Sequence, residues 1–167
     1  MDNAFKSISA ITSYGNIEIN FNESAFSYAM DSNSRTAFAT TKNGHIIING
    51  LENGNIKATG NGRISLNYNK VLGDNEVSSQ YGIINIVVPN PTDTSNANEY
   101  AFNLQVDSSI NSDIKVGVVG SLGVDFNGSG LKEFKNIYNS ESSTVNNLRV
   151  LAAHNMIKIR SRDLTNY

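Results

Sequence analysis

One run of residues has the spacing of a metal loop. In Asp125-Phe126-Asn127-Gly128-Ser129-Gly130, side-chain oxygens occupy alternate positions ahead of a turn glycine. Calcium loops begin with oxygen ligands at positions 1, 3 and 5, so Asp125, Asn127 and Ser129 form a candidate calcium site. Position 12 is Asn136, where an EF-hand has a bidentate glutamate, and helix patterns are missing on both sides. We therefore favour a simple hairpin turn, with calcium as the only cofactor considered.

Acid–base chemistry at neutral pH would require histidine or a pair of carboxylates. His45 follows the turn signal Asn43-Gly44, and His154 precedes Asn155, and neither has an acidic residue close in sequence. We interpret both as turn or edge histidines. The carboxylates are dispersed, mostly in loops or on polar strand faces, which is typical of solvated surface charge. No catalytic residue and no enzymatic activity are predicted.

Other reactive motifs are incomplete. The run Gly117–Gly123 has the glycines of a phosphate loop, but it lacks the lysine and lies in a strand-like context. There is no G-x-S-x-G elbow for a serine nucleophile. The chain has no cysteine, which excludes disulfide scaffolds and cysteine-based metal centres.

Composition narrows the class of protein further. The chain has 167 residues, of which 26 are Asn and 20 are Ser, and only 17% are charged. An ordinary soluble domain has about 25% charged residues. With a formal net charge of −2 and no apolar stretch longer than four residues, neither nucleic-acid binding nor membrane insertion is expected. Residues 132–167 carry a net charge of +3, either as a solvated face or as a docking surface for an acidic partner.

Alternating apolar and polar residues predict β-strands with one buried face. The apolar series are Ile17, Ile19 and Phe21; Ile64, Leu66 and Tyr68; and Tyr100, Phe102, Leu104 and Val106. Apolar residues or glycine occupy every second position from 114 to 126. This pattern predicts either one long strand bent at Gly120 or two strands joined near Gly120-Ser121. Seven Tyr and many Asn residues also resemble the composition of sugar-binding surfaces, but Tyr68 and Tyr100 fit the buried strand faces.

Five Asn-Gly pairs, beginning at residues 43, 49, 53, 61 and 127, indicate tight turns. Four of them lie close together and predict a meander of strands at 35–41, 45–48, 55–59 and 63–70. We therefore expect an all-β fold, an antiparallel β-sandwich of jelly-roll type with little helix.

Residues 1–167 are expected to form a single domain, with the loop 89–98 as the candidate internal boundary. Residues Glu23 to Met30 have the pattern of a short helix. Residues 143–161 fit either a helix capped by Ser143 or Thr144, or a hairpin of strands 147–153 and 156–161, which we favour.

In being free of cysteine, rich in β-strand patterns and rich in Asn, Ser and Gly, and in its expected lack of a leader, the chain resembles bacteriophage virion structural proteins. The resemblance implies a non-enzymatic fibre tip, capsid decoration or tail component, made in the host cytoplasm and located in the virion. It also implies a homo-oligomer, with a trimer favoured, that contacts other virion proteins and a host surface glycan. Residues 100–106 and 148–160 resemble strands of lectin-type sandwiches, so one alternative is a carbohydrate-binding module. A second alternative, based on the dispersed carboxylates, is a small glycan hydrolase.

Overall fold

The computed structural model describes residues 7–21, 35–90, 100–108, 113–118, 124–128, 130–138 and 144–163. Within them the chain forms eleven strands and no α-helix, which confirms the all-β prediction. The strands are β1 (Ser7–Tyr14), β2 (Ile17–Asn20), β3 (Thr36–Asn43), β4 (Ile46–Leu51), β5 (Asn53–Tyr68), β6 (Asp74–Asn90), β7 (Phe102–Ser108), β8 (Asp113–Val118), β9 (Val124–Gly128), β10 (Gly130–Ile137) and β11 (Asn147–Asp163). In these residues no helix is long and apolar enough to cross a membrane.

The chain passes repeatedly through the same bent path. β1 continues past a corner into β2, and β3 into β4, while β5, β6 and β11 each contain both parts in one long strand. We call each pass a coil, its part before the corner the first leg, and its part after the corner the second leg. The second leg returns the chain to the start of the next first leg, so it acts as the crossover that parallel pairing requires. Stacked coils of this kind have the arrangement of a β-solenoid.

Strand order differs from chain order at the last coil. The first legs are ordered β1-β3-β5-β6-β11-β7-β10, so β11 lies between β6 and β7 although it comes after both in sequence. β11 is parallel to β6 along its whole length, to β7 through its first leg and to β8 through its second. Only β10 on β7 and β9 on β8 pair antiparallel among the described strands. The C-terminal strand is therefore central in the sheet.

Glycines stack at the corner of successive coils. A β-carbon on Gly44 would overlap the carbonyl oxygen of Gly15, one on Gly62 would overlap that of Gly44, and one on Gly82 would overlap that of Gly62. Gly15 and Gly82 also have φ near +120°, a conformation that favours glycine. The register partner of Gly82 in the next coil is Asn155, where the glycine column ends.

The second legs stack isoleucine on isoleucine across the coils. Ile17, Ile46, Ile64, Ile84 and Ile157 are successive register partners, and each is buried. β-Branched side chains fit a pleated, buried surface well, and each fully buried one contributes roughly 1.5–3 kcal/mol. This ladder belongs to one core cluster that includes apolar residues from both legs. The alternating series at 17–21, 64–68 and 102–106 are buried as predicted.

The expected antiparallel pairing is wrong for most of the sheet, since eight of the ten described strand pairings are parallel. Neither a sandwich nor a jelly-roll order is confirmed. Alternation determines which face each side chain occupies but carries no information about strand direction. Asn43-Gly44 and Asn61-Gly62 lie at corners and Asn53-Gly54 begins β5, so none of these three pairs closes a hairpin. The strands predicted for the meander exist as legs of coils.

Three further expectations have mixed outcomes. Val118 pairs with Val124 in antiparallel β8 and β9, which confirms two strands rather than one in this region. Residues 147–163 form the single strand β11, so both the helix and the favoured hairpin are wrong there. The reason is that the apolar residues of β11 pair in register with those of β6 and extend its ladders. The proposed helix at 23–30 and residues 91–98 of the boundary loop lie outside the described residues, although β6 continues through Pro89 and Asn90.

Candidate functional site

A groove of about 650 Å³ crosses the outer surface of the first legs. Its walls come from β3, β5, β6, β11, β7 and β10, which are successive neighbours in the sheet. Neighbouring strands lie about 4.8 Å apart, so six strands extend over about 24 Å. The groove therefore runs across the strands and has the length for an extended ligand. We call it the first-leg groove.

One complete register row forms the middle of this groove. Asn55, Glu76, Arg149, Gln105 and Glu133 are successive partners on five neighbouring strands. Phe38, the partner of Asn55 on β3, continues the row and is 47% exposed. The row thus combines amides, both signs of charge and an aromatic ring on a single straight line.

A second set of polar side chains lies two residues earlier on the same strands, and hydrogen bonds hold its members in place. The Asn103 amide donates to Asn147 Oδ1 at 3.0 Å, and the Asn147 amide donates to Asp74 Oδ1 at 2.7 Å. The Asn53 amide donates to the carbonyl of Leu72 at 2.6 Å. Because each side chain is oriented by its neighbour, this edge of the groove is preorganised.

Asn75 fixes the coils beneath the groove. Its side chain points inward and is 2% exposed. It accepts a hydrogen bond from the Gly54 N–H at 3.0 Å and donates to the carbonyls of Leu72 at 3.0 Å and Asn147 at 3.3 Å. One buried amide therefore joins β5, the turn before β6, and β11, and it gives the buried Gly54 N–H a hydrogen-bond partner.

Charges in the first-leg groove nearly cancel, with a net charge of −1. Glu76 and Arg149 form an ion pair at 3.9 Å with both side chains about half exposed. Asp74 and Glu133 add negative charge and Lys135 adds positive charge. A groove with three acids and two bases creates little net field, so it does not select strongly for an ionic ligand.

Both histidines lie at or beside the corner and outside the lining of this groove. His45 Nδ1 accepts from the Arg63 N–H at 3.0 Å, and the His45 N–H donates to Asn16 Oδ1 at 3.0 Å. The His154 ring stacks on Tyr81 with ring centroids 5.4 Å apart. The turn-or-edge interpretation of His45 is confirmed. His154 is exposed beside the corner but lies within β11 rather than in a hairpin turn.

Two of the three candidate calcium residues lie in a described strand. Asp125 and Asn127 belong to β9, opposite Gly117 and Lys115 of β8, and Ser129 is outside the described residues. Among the residues that the structure describes, no group of three His, Asp or Glu side chains could hold a metal ion. The calcium site stays a prediction.

Two tyrosines that the alternating pattern assigns to buried strand faces, Tyr68 and Tyr100, are fully buried and half-buried. Tyr68 is fully buried, and burial raises the pKa of its phenol. Tyr100 is half-buried beneath the ammonium of Lys70, which lies 4.9 Å from the ring centre. The exposed ring of Phe38 lines the groove. The sequence did not identify Phe38 as a site residue, because it is only one position of the strand predicted for residues 35–41. Strand register alone brings it next to Asn55.

Comparisons with known proteins leave the chain without a family. No family model matches it, and no curated protein matches it. A solved structure described as a "putative cell adhesion protein" from Clostridium sporogenes has a TM-score of 0.47 and 10% sequence identity. The matched region covers 96% of this chain and 95% of that one. A similarity this distant carries no argument about function.

Proposed function

We propose that the chain is a non-enzymatic binding module whose first-leg groove holds an uncharged polysaccharide. The observation that carries this proposal is the register row from Asn55 to Glu133, which places donors and acceptors along one straight groove. Amide side chains both donate and accept hydrogen bonds, which is what sugar hydroxyls require. The exposed face of Phe38 at one end supplies an apolar surface for the carbon–hydrogen face of a sugar ring.

The carboxylates of the groove favour binding over hydrolysis. Asp74 accepts a hydrogen bond from Asn147, and Glu76 pairs with Arg149, so both contribute to a fixed network. Glu76 and Glu133 are three strands apart, which is about 14 Å. Paired glycosidase carboxylates lie about 5–9.5 Å apart. We therefore do not propose Glu76 and Glu133 as an acid and base pair across this groove.

The proposal is tested on an array of uncharged glycans, followed by calorimetry with the best ligand. Asn55→Ala with Gln105→Ala removes two amides from the row, and binding should weaken about tenfold or more, since each hydrogen bond contributes about 0.5–1.5 kcal/mol. The matched control is Asn61→Ala with Gln80→Ala, two exposed amides outside the groove lining. An array without binders, or equal losses in both double variants, would refute the proposal.

Self-assembly is a second proposal, favoured by the ends of the sheet. In the described part of the chain, β1 pairs with β3 alone, and it exposes Ile11 (81%) and Tyr14 (73%). An edge strand with exposed apolar side chains readily pairs with another chain. Light scattering coupled to size exclusion tests this, and a monomer at every concentration would exclude it. The assignment to a phage virion and the trimer stay predictions.

A further inference from the structure

The outer surface of the second legs contains a separate depression of about 380 Å³. Its polar lining includes Ser65, Asn67, Asn85, Lys158 and Arg160, and none of these residues lines the first-leg groove. The inward residues of both legs share one core cluster, so the two depressions face away from it on different surfaces. We call this the second-leg groove.

Two cations lie side by side on β11 in this groove. Lys158 and Arg160 are two residues apart on one strand, so their side chains point to the same face with backbones about 6.6 Å apart. Both are exposed. Lys158 has Asn85 on one side and Lys115 on the other as register partners, and Arg160 has Val87 and Gly117. The strand neighbours of the two cations are thus neutral or basic.

Space for a ligand exists beside Arg160. A β-carbon on Gly117 would meet nothing within 4 Å, so the neighbouring strand presents open surface there. Arg149, which lies on the same strand, differs from these two cations because it forms an ion pair with Glu76. In the described residues no acidic side chain forms an ion pair with Lys158 or Arg160. Their positive charge is therefore available to an anion from outside the chain.

From this arrangement we propose that the second-leg groove binds an acidic polysaccharide, with Lys158 and Arg160 holding its carboxylate or sulfate groups. Asn67, Asn85 and Ser65 lie on the neighbouring strands, where they can hydrogen-bond the sugar hydroxyls. Exposed aromatic rings on which nucleic-acid bases would stack are absent from the lining, and the whole chain is net negative. This site is independent of the function proposed for the first-leg groove.

The test compares four probes by calorimetry at low and at physiological salt: polygalacturonate, heparin, neutral dextran and a single-stranded DNA 20-mer. At least one acidic polysaccharide should bind, more weakly as salt rises, and the two distinguish carboxylate from sulfate. Lys158→Gln with Arg160→Gln should weaken that binding at least tenfold. Neutral dextran bound in the first-leg groove would be unaffected by this change.

A matched control removes the same charge elsewhere. Lys42 and Lys57 are exposed on the first legs and line neither groove, so Lys42→Gln with Lys57→Gln should change affinity less than twofold. Urea unfolding midpoints of both double variants establish that they fold like the parent chain. Binding of neither acidic polysaccharide, equal losses in both double variants, or tighter binding of DNA than of both polysaccharides would overturn the proposal.

Discussion

The carbonyl oxygen of Gly62 occupies the space that a β-carbon on Gly82 would need. Two consecutive coils therefore approach each other at the corner more closely than any other residue type allows. Gly82 additionally has φ of 120°. Close approach and backbone conformation independently require glycine at this position.

Gly82→Ala should therefore destabilise the protein strongly, by about 2–4 kcal/mol, because a methyl group must displace backbone and the φ angle becomes strained. Urea unfolding followed by circular dichroism measures this change. Gly117→Ala is the matched control, since a β-carbon there meets nothing within 4 Å and its φ is not positive. It should change stability by less than about 0.5 kcal/mol. Similar losses in both variants would contradict the account of the corner.

Asn75→Ala tests the buried amide beneath the first-leg groove. The change removes the hydrogen bond to the buried Gly54 N–H and one of the two side-chain hydrogen bonds to the Leu72 carbonyl, which keeps the one from Asn53. We expect a loss of about 2–3 kcal/mol, since an unsatisfied buried polar group costs about 1–3 kcal/mol. Asn61→Ala, at an exposed position, is the control and should be nearly neutral. If Asn75→Ala were also neutral, the coils would be joined at this point by other contacts.

Ile84→Ala tests the isoleucine ladder of the second legs. Ile84 is fully buried between Ile64 and Ile157, so truncation removes buried surface and leaves a cavity. The expected loss is about 2–5 kcal/mol in the urea unfolding free energy. Ile47→Ala removes the same atoms from an outward position that is 37% exposed and should cost less than about half as much. Equal costs would mean that the ladder is not the core of the fold.

Much of the local structure is predictable from the sequence, and most of the pairing is not. The burial of Ile64, Leu66 and Tyr68 follows from alternation alone. Parallel direction does not, because a strand has the same side-chain pattern in either direction. The Asn-Gly signal was correct about a change of direction at residue 44 but not about its angle, since the chain turns a corner there instead of reversing.

The candidate grooves could not be predicted at all from one sequence. Glu76 and Arg149 meet only because β11 inserts beside β6, and chain order gives no sign of that insertion. The excess of Asn on polar strand faces was visible in the sequence. Which of those amides share a row depends on strand register, a non-local property of the fold.

Stability at high pH should depend on Tyr68. Burial raises the pKa of its phenol far above the ordinary value of 10, so the folded protein keeps the proton while the unfolded chain loses it above about pH 10. The unfolded state then binds fewer protons, and stability falls as pH rises past this value. Between pH 8 and pH 11 this group alone should remove about 1.4 kcal/mol.

Tyr68→Phe should reduce that alkaline loss by this amount, measured as the difference in urea unfolding free energy between the two pH values. Taking the difference cancels any constant effect of removing the hydroxyl. Tyr81→Phe, at a side chain that is 41% exposed, is the matched control and should keep the full loss of the parent chain. If both variants lost as much stability between pH 8 and pH 11 as the parent does, the buried phenol of Tyr68 would not be the group that titrates on unfolding.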